Sequence, residues 1–172
     1  MAHDLNRRDT FKAALLPLIA TQPAATPATA QSGGRLVVSL SRSGNTRVLA
    51  GALSRRFDAP LFELRPSDRG AVGSEMVAWA SRMREQGNNV PLAEDLPNIA
   101  AYDTVFLCHP IWGMDLPAVT ASFLLSHDLS GKTVIPIITH GGYGAGEAVA
   151  TAQMLAPAAR FDLEGLLQIA AR

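Results

Sequence analysis

The chain has 172 residues, 48% of them hydrophobic and 17% charged, which suits one globular domain with its own core and leaves little room for a second. Fifteen basic and fifteen acidic residues cancel, excluding the broad positive field of a nucleic-acid binder and sending the search for a partner to a specific site. A single cysteine, Cys108, excludes an intramolecular disulfide framework, so the fold must stand without one in any compartment.

Residues 1–30 differ from the rest. Paired Arg7 and Arg8, Phe11 and Lys12 close behind, a mild apolar stretch from Ala13 to Ala20 and the small-residue pattern Ala28-Thr29-Ala30 resemble, in that order, a twin-arginine export signal cleaved after Ala30. The alternative is a disordered or amphipathic arm. The apolar stretch is too short to span a membrane and is broken by Pro17, so an integral membrane protein is not expected. As a signal, the segment implies a periplasmic or otherwise exported protein, carried across already folded, as cofactor-containing chains often are. The remainder holds twelve basic and thirteen acidic side chains, a net charge of −1.

A polar linker over 31–34 precedes the domain expected over 35–172. "RLVVSL" (35–40) is a continuous apolar run of the kind that is buried on both faces in a parallel sheet. From Thr46, Val48, Leu49, Ala52 and Leu53 recur at helical spacing and stop near Arg56, before Asp58-Ala59-Pro60. "PLFEL" (60–64) reads as a second strand, and Ser74 to Gln86 as a helix carrying Met76, Val77, Trp79, Ala80 and Met83. "DTVFLCHPIW" opens a third strand from Thr104, a helix follows Pro117, and "KTVIPII" (132–138) is the fourth strand. A helix from about Gly146 to Ala156 and a fifth strand within "FDLEGLLQI" complete the pattern. Alternating strands and helices with short connections predict a three-layer α/β sandwich on a parallel sheet, whose ligands sit beyond the carboxyl ends of the strands where strand order reverses.

That rule points to three loops. The first, Ser41-Arg42-Ser43-Gly44-Asn45-Thr46, opens a helix whose first N–H groups have no internal partner and carry the positive end of the dipole. Its hydroxyls and glycine suit a phosphate monoester, while the absence of G-x-x-x-x-G-K-[ST] and G-x-G-x-x-G argues against a nucleoside triphosphate or dinucleotide. A serine-rich N-cap turn is the plainer reading. The second loop, "HPIWGMDLP", offers Trp112 as a flat surface with Gly113 beside it, although an indole also serves well as core. The third, "THGGYGAGE", crowds Gly141, Gly142, Gly144 and Gly146 around Tyr143, which is either a flexible connector or a place where main chain meets a ligand.

Phosphate at one end and a planar ring at the other describe a mononucleotide. The ordered motifs Ser-Arg-Ser-Gly-Asn-Thr, Pro-Ile-Trp and Thr-His-Gly-Gly, spread over roughly 35–170, resemble those of the flavodoxin-like family. The resemblance implies a five-stranded parallel sheet in the order 2-1-3-4-5, with FMN at the reversal between strands one and three. It also implies a fifth helix, which would begin just where the sequence stops at Arg172. Carried over by position, it implies that Ser41, Arg42, Ser43, Gly44, Asn45 and Thr46 bind the phosphate. Pro110, Ile111, Trp112 and Gly113 would border the isoalloxazine, and His140, Gly141, Gly142, Tyr143 and Gly144 would complete the site. Two positions depart from the family pattern: Ser39 stands where an aromatic usually closes the first strand, and Gly113 where many relatives carry a second tryptophan. The near-neutral mature chain also lacks the acidic excess of electron-shuttling flavodoxins.

Cys108, inside a buried strand, is expected to be an inert small hydrophobe, and no cluster has metal-ligand spacing. His109 is open between a structural and a substrate-facing role. Three functions follow: an exported FMN protein in electron transfer with a redox partner protein or small acceptor, an FMN-dependent quinone or related reductase, or a flavin-free binding module. A homodimer is possible in each.

Overall fold

β1 (Gly34–Ser39) is buried on both faces because its Leu-Val-Val run leaves no polar side to turn outward; Leu36, Val37 and Val38 are fully enclosed. This is a computed structural model, and it describes residues 33–67, 75–85, 87, 90–96, 98–165 and 167–170. Residues 1–30, read above as an export signal, and residues 31 and 32 of the linker lie outside the described residues.

The chain continues through α1 (Asn45–Phe57), β2 (Leu61–Glu63), α2 (Glu75–Glu85), a short 3₁₀ turn (Ile99–Ala101), β3 (Tyr102–Pro110), α3 (Ala118–Ser126), β4 (Thr133–His140), α4 (Ala148–Leu155), β5 (Arg160–Phe161) and β6 (Leu167–Ala170). All pairings are parallel in the order β2-β1-β3-β4-β5, with β6 also on β4, so the expected 2-1-3-4-5 sheet is present.

The fifth strand is the departure. It is split between β5 and β6, because the Asp162 Oδ1 accepts the N–H groups of Glu164 and Gly165, each at 3.1 Å, and turns the chain. β4 is matched to the break. Val134 offers its carbonyl toward the fifth strand, accepting from Asp162 N–H at 2.9 Å, so the two-residue period aims the backbone nitrogen of Pro136 to the same side. Proline has no N–H to donate, and neither Ile135 nor Pro136 has a partner in β5 or β6.

α2, α3 and α4 cover one face of the sheet with the larger apolar cluster, and α1 lies on the other over Val37, Phe106, Cys108 and Ile137. On α1 the inward stripe is Thr46, Leu49, Ala50, Leu53 and Phe57, whereas Val48 and Ala52, which the spacing placed with it, face solvent. Each follows a buried residue, Thr46 or Ala50, by two positions, which at about 100° per residue turns it to the far side of the helix. Phe57 stacks on Phe106 with centroids 4.8 Å apart, and the guanidinium groups of Arg35 and Arg56 lie over its ring. Cys108 is enclosed on this side, and desolvation pushes its thiol up to about 12, which leaves it unreactive.

Candidate functional site

The parallel register sets Ser39, Cys108 and Ile137 level across β1, β3 and β4, so the three following loops leave the sheet side by side. Two further bonds prolong this, from Leu40 N–H to the Cys108 carbonyl (2.9 Å) and from Ile111 N–H to the Thr139 carbonyl (3.0 Å).

In the first loop Ser41 Oγ accepts the N–H of Gly44 at 3.1 Å, and Gly44 turns the chain into α1 at φ +96°, a conformation that costs glycine little. α1 has no side-chain cap. Its first intrahelical bond runs from Val48 N–H to the Gly44 carbonyl, so the amides of Asn45, Thr46 and Arg47 bond to no described residue. The hydroxyls of Thr46 and Thr139, both buried, meet at 2.8 Å. Whichever donates, the other keeps its proton for a further acceptor.

In the second loop Trp112 and Asp115 exchange backbone bonds at 3.0 and 3.4 Å across Gly113 (φ +62°) and Met114 (φ +66°). Two left-handed central residues make the turn tight, and Met114 takes that conformation at a cost of about 1–2 kcal/mol. Asp115 holds the turn down, accepting from Leu116 N–H at 2.7 Å and from the Thr151 hydroxyl at 3.1 Å. In the third loop His140 Nδ1 accepts the N–H groups of Gly142 and Gly144, both at 3.1 Å. The second and third loops are locked together where Glu147 N–H donates to the Met114 carbonyl at 2.9 Å. Gly146 makes this approach possible: at φ +55°, any Cβ there would overlap the Met114 carbonyl.

Together the loops enclose a cleft of about 340 Å³, bordered by Arg42, Ser43, Asn45 and Thr46, by Pro110, Ile111 and Trp112, and by Thr139, His140, Gly141 and Tyr143. Gly113 and Gly144 border an adjoining hollow of about 210 Å³, which shares Ile111, His140, Gly141 and Tyr143 with the cleft. Ser41 instead borders a small separate hollow near Glu63, and Gly44 and Gly142 shape their turns without bordering either space. Thr139 is the cleft residue that sequence reading missed, since within "IITH" it reads as ordinary strand.

Trp112 needs a correction. Its residue is 5% exposed and packs with Leu and Val side chains of the larger core, so it forms a wall of the cleft rather than an open stacking platform. The open aromatic is Tyr143, 82% exposed at the rim. His109 is resolved as structural: it is 1% exposed, its Nδ1–H donates to the Pro110 carbonyl at 2.9 Å, and it does not border the cleft. Burial depresses its pKa to about 4, against weaker opposing effects of that hydrogen bond and of Asp115.

Among the described residues Arg42 is the one charged side chain on the cleft wall, and on the flank Arg47 and Arg65 share the carboxylate of Glu63 at 2.6 and 3.0 Å. Positive charge and unpaired amides at the α1 end therefore make that end a site for an anion. Among the described residues no group of His, Cys, Asp and Glu is placed to hold a metal ion, and no helix is long and apolar enough to cross a membrane.

A doubly wound parallel sheet with its cleft at the β1/β3 reversal defines the class, a flavodoxin-like α/β sandwich. The family model for flavodoxin matches residues 34–170, and the chain belongs to that family. Among solved structures it is similar to a protein from Bacteroides uniformis classed as a flavoprotein, with 28% identity, a TM-score of 0.68, and 77% of this chain and 88% of that one covered. A second such protein, from Bacteroides eggerthii, shows 22% identity, a TM-score of 0.66, and 81% and 89% coverage. A flavoprotein in complex with FMN from Lactobacillus acidophilus shows 16% identity, a TM-score of 0.68, and 79% and 93% coverage. At these lower identities the likeness is one of fold. Among curated proteins none matches the chain.

Two predictions follow from the loop geometry. Gly146→Ala forces a Cβ into the Met114 carbonyl at a left-handed position, and urea unfolding should show a loss of about 2–4 kcal/mol; an unchanged midpoint would contradict the locked-loop geometry. His109 is neutral when folded down to about pH 4, whereas the unfolded chain binds its proton below about pH 6.5. Stability should therefore fall on acidification between those values, by on the order of 3 kcal/mol in full, and His109→Asn should flatten that part of the pH–stability curve.

Proposed function

We propose that the cleft binds FMN and that the protein takes part in electron transfer outside the cytoplasmic membrane. The observation that carries the reading is the pairing, across one cleft, of the unpartnered α1 amides of Asn45 and Thr46 beside Arg42 with the open ring of Tyr143. Bound there, FMN would supply one- and two-electron redox chemistry, and the protein's part is to hold and tune it.

The donor set fits the group. The backbone N–H groups of Asn45 and Thr46, the hydroxyls of Ser43 and the Thr46–Thr139 pair, and the Arg42 guanidinium belong to residues that border the same end of the cleft, where a phosphate would take charge-assisted hydrogen bonds, the strong ones. Pro110, Ile111 and the buried Trp112 make an apolar wall for a ring system, and Tyr143, at the rim, would cover its outer side. Family membership supports the same ligand, as does the FMN held by the Lactobacillus acidophilus protein.

A second reading, an FMN-dependent reductase of a quinone or similar acceptor, is favoured by the hollow bordered by Met114, Tyr143 and Gly144, which opens beside the cleft and has room for a small planar molecule. Oxidation of a nicotinamide cofactor in the presence of a quinone, measured on the flavin-loaded protein, separates the readings. The export assignment rests on the Arg7-Arg8 signal pattern.

Titrating FMN into the apo chain should quench flavin fluorescence at one equivalent. Riboflavin, which lacks the phosphate, should bind at least about tenfold more weakly, the worth of one charge-assisted hydrogen bond or more. Equal affinity for the two would remove the phosphate assignment, and absence of FMN binding would remove the reading altogether. Replacing Arg7 and Arg8 with lysine in the full chain should abolish export and leave the uncleaved precursor in the cytoplasm; continued export would refute the signal.

A further inference from the structure

We propose that His140 is a positioning residue: its Nδ1 gathers the amides of Gly142 and Gly144, fixes Tyr143 between them at the cleft rim, and so makes FMN binding depend on a neutral imidazole. This rests on the FMN reading above.

The glycine loop has little else to hold it. Gly142 (φ +112°) and Gly144 (φ +78°) are both in glycine-favoured backbone, and among the described residues their N–H groups have no acceptor other than His140 Nδ1. The next fixed point is Glu147 N–H on the Met114 carbonyl. Tyr143, between the two held amides, is 82% exposed, so packing does not place it. A segment this rich in glycine has many conformations to lose, and the two bonds to one ring nitrogen restrict them.

An imidazole nitrogen that accepts hydrogen bonds carries no proton, so the ring is held with its hydrogen on Nε2. Taking up a second proton would place an Nδ1–H against two N–H donors, turning two attractions into repulsions. Only the fraction of molecules with the loop in its held form then binds ligand well, and the apparent affinity falls by that fraction. The other titratable or charged groups bordering the same spaces are Arg42, from the loop before α1, and Tyr143 itself. The loop after β3 brings Ile111, Gly113 and Met114, and β6 brings Ala170 as the register partner of His140.

The test uses His140→Asn and His140→Gln in the full chain. Asparagine sets its amide at the place of Nδ1 and can accept both N–H groups, while glutamine sets it near Nε2. FMN affinity is read by flavin fluorescence quenching, and the Gly142 and Gly144 amide signals of the free protein by ¹H–¹⁵N NMR. At about pH 8 the Asn variant should bind FMN within about threefold of the native chain and the Gln variant about tenfold more weakly, the loss expected for two hydrogen bonds. Acidification that protonates His140 should weaken the native chain more than the Asn variant; what both lose alike belongs to the FMN phosphate, a contribution that riboflavin lacks. The two glycine signals should move with His140 protonation in the native chain and be displaced in the Gln variant. Native-like affinity and unmoved amides in the Gln variant would overturn the proposal. Amides that follow His140 in a chain that binds no FMN would uphold the hold on the loop while overturning both the cofactor reading and the FMN half of this proposal.

Discussion

The arrangement depends on the level parallel register of β1, β3 and β4. Because Ser39, Cys108 and Ile137 stand side by side, the loops that follow emerge at one height and can meet. A one-residue slip in any pair would turn every side chain of that strand to the opposite face, placing Val37 and Cys108 against α3 instead of α1. Complete burial of these strands is what makes such a slip prohibitive, so the apolar core sets the positions of polar groups that lie beyond it.

Beyond the sheet, each loop is held by a small number of polar contacts. Ser41 closes the first turn, mutual backbone bonds and Asp115 close the second, and His140 closes the third. The second and third are then joined at Met114 and Gly146, and the first is joined to β4 through Thr46 and Thr139. Met114 and the positive-φ glycines Gly44, Gly113, Gly142, Gly144 and Gly146 lie in these loops, whereas the other non-glycine residues at positive φ, Asp58 and Asn98, sit at the ends of α1 and the 3₁₀ turn. The charge distribution follows the same division: the core is apolar, and the unpaired amides with Arg42 gather at one end of the cleft.

The strand and helix pattern was legible because burial acts through sequence neighbours. A β-branched run enclosed on both faces looks the same in sequence as in space, and the Ser-Arg-Ser-Gly-Asn-Thr turn carries its own chemistry in its residue types. Ten of the residues named in advance border the cleft for that reason. Errors arose where the outcome depended on neighbours far along the chain. "FDLEGLLQI" was one strand by composition and became two, since the turn at Asp162 and the missing N–H of Pro136 coincide across a strand boundary. For Trp112 the sequence left both a ring surface and a core role open, and the structure gives it 5% exposure within the core while it borders the cleft.

By itself the sequence determined the alternation of elements, the parallel sheet, the strand-end location of the cleft and the amide-rich turn at the start of α1. These follow from local periodicity and from the conformations that glycine, serine and proline allow. Only the tertiary structure decided that Thr139 reaches Thr46, that Tyr143 and not Trp112 presents the open ring, that His109 is sealed away from the cleft while His140 organises its rim, and that Gly146 is where two loops touch. The first and last of these rest on contacts between residues 93 and about thirty positions apart, and such contacts exist only once the sheet has set its register.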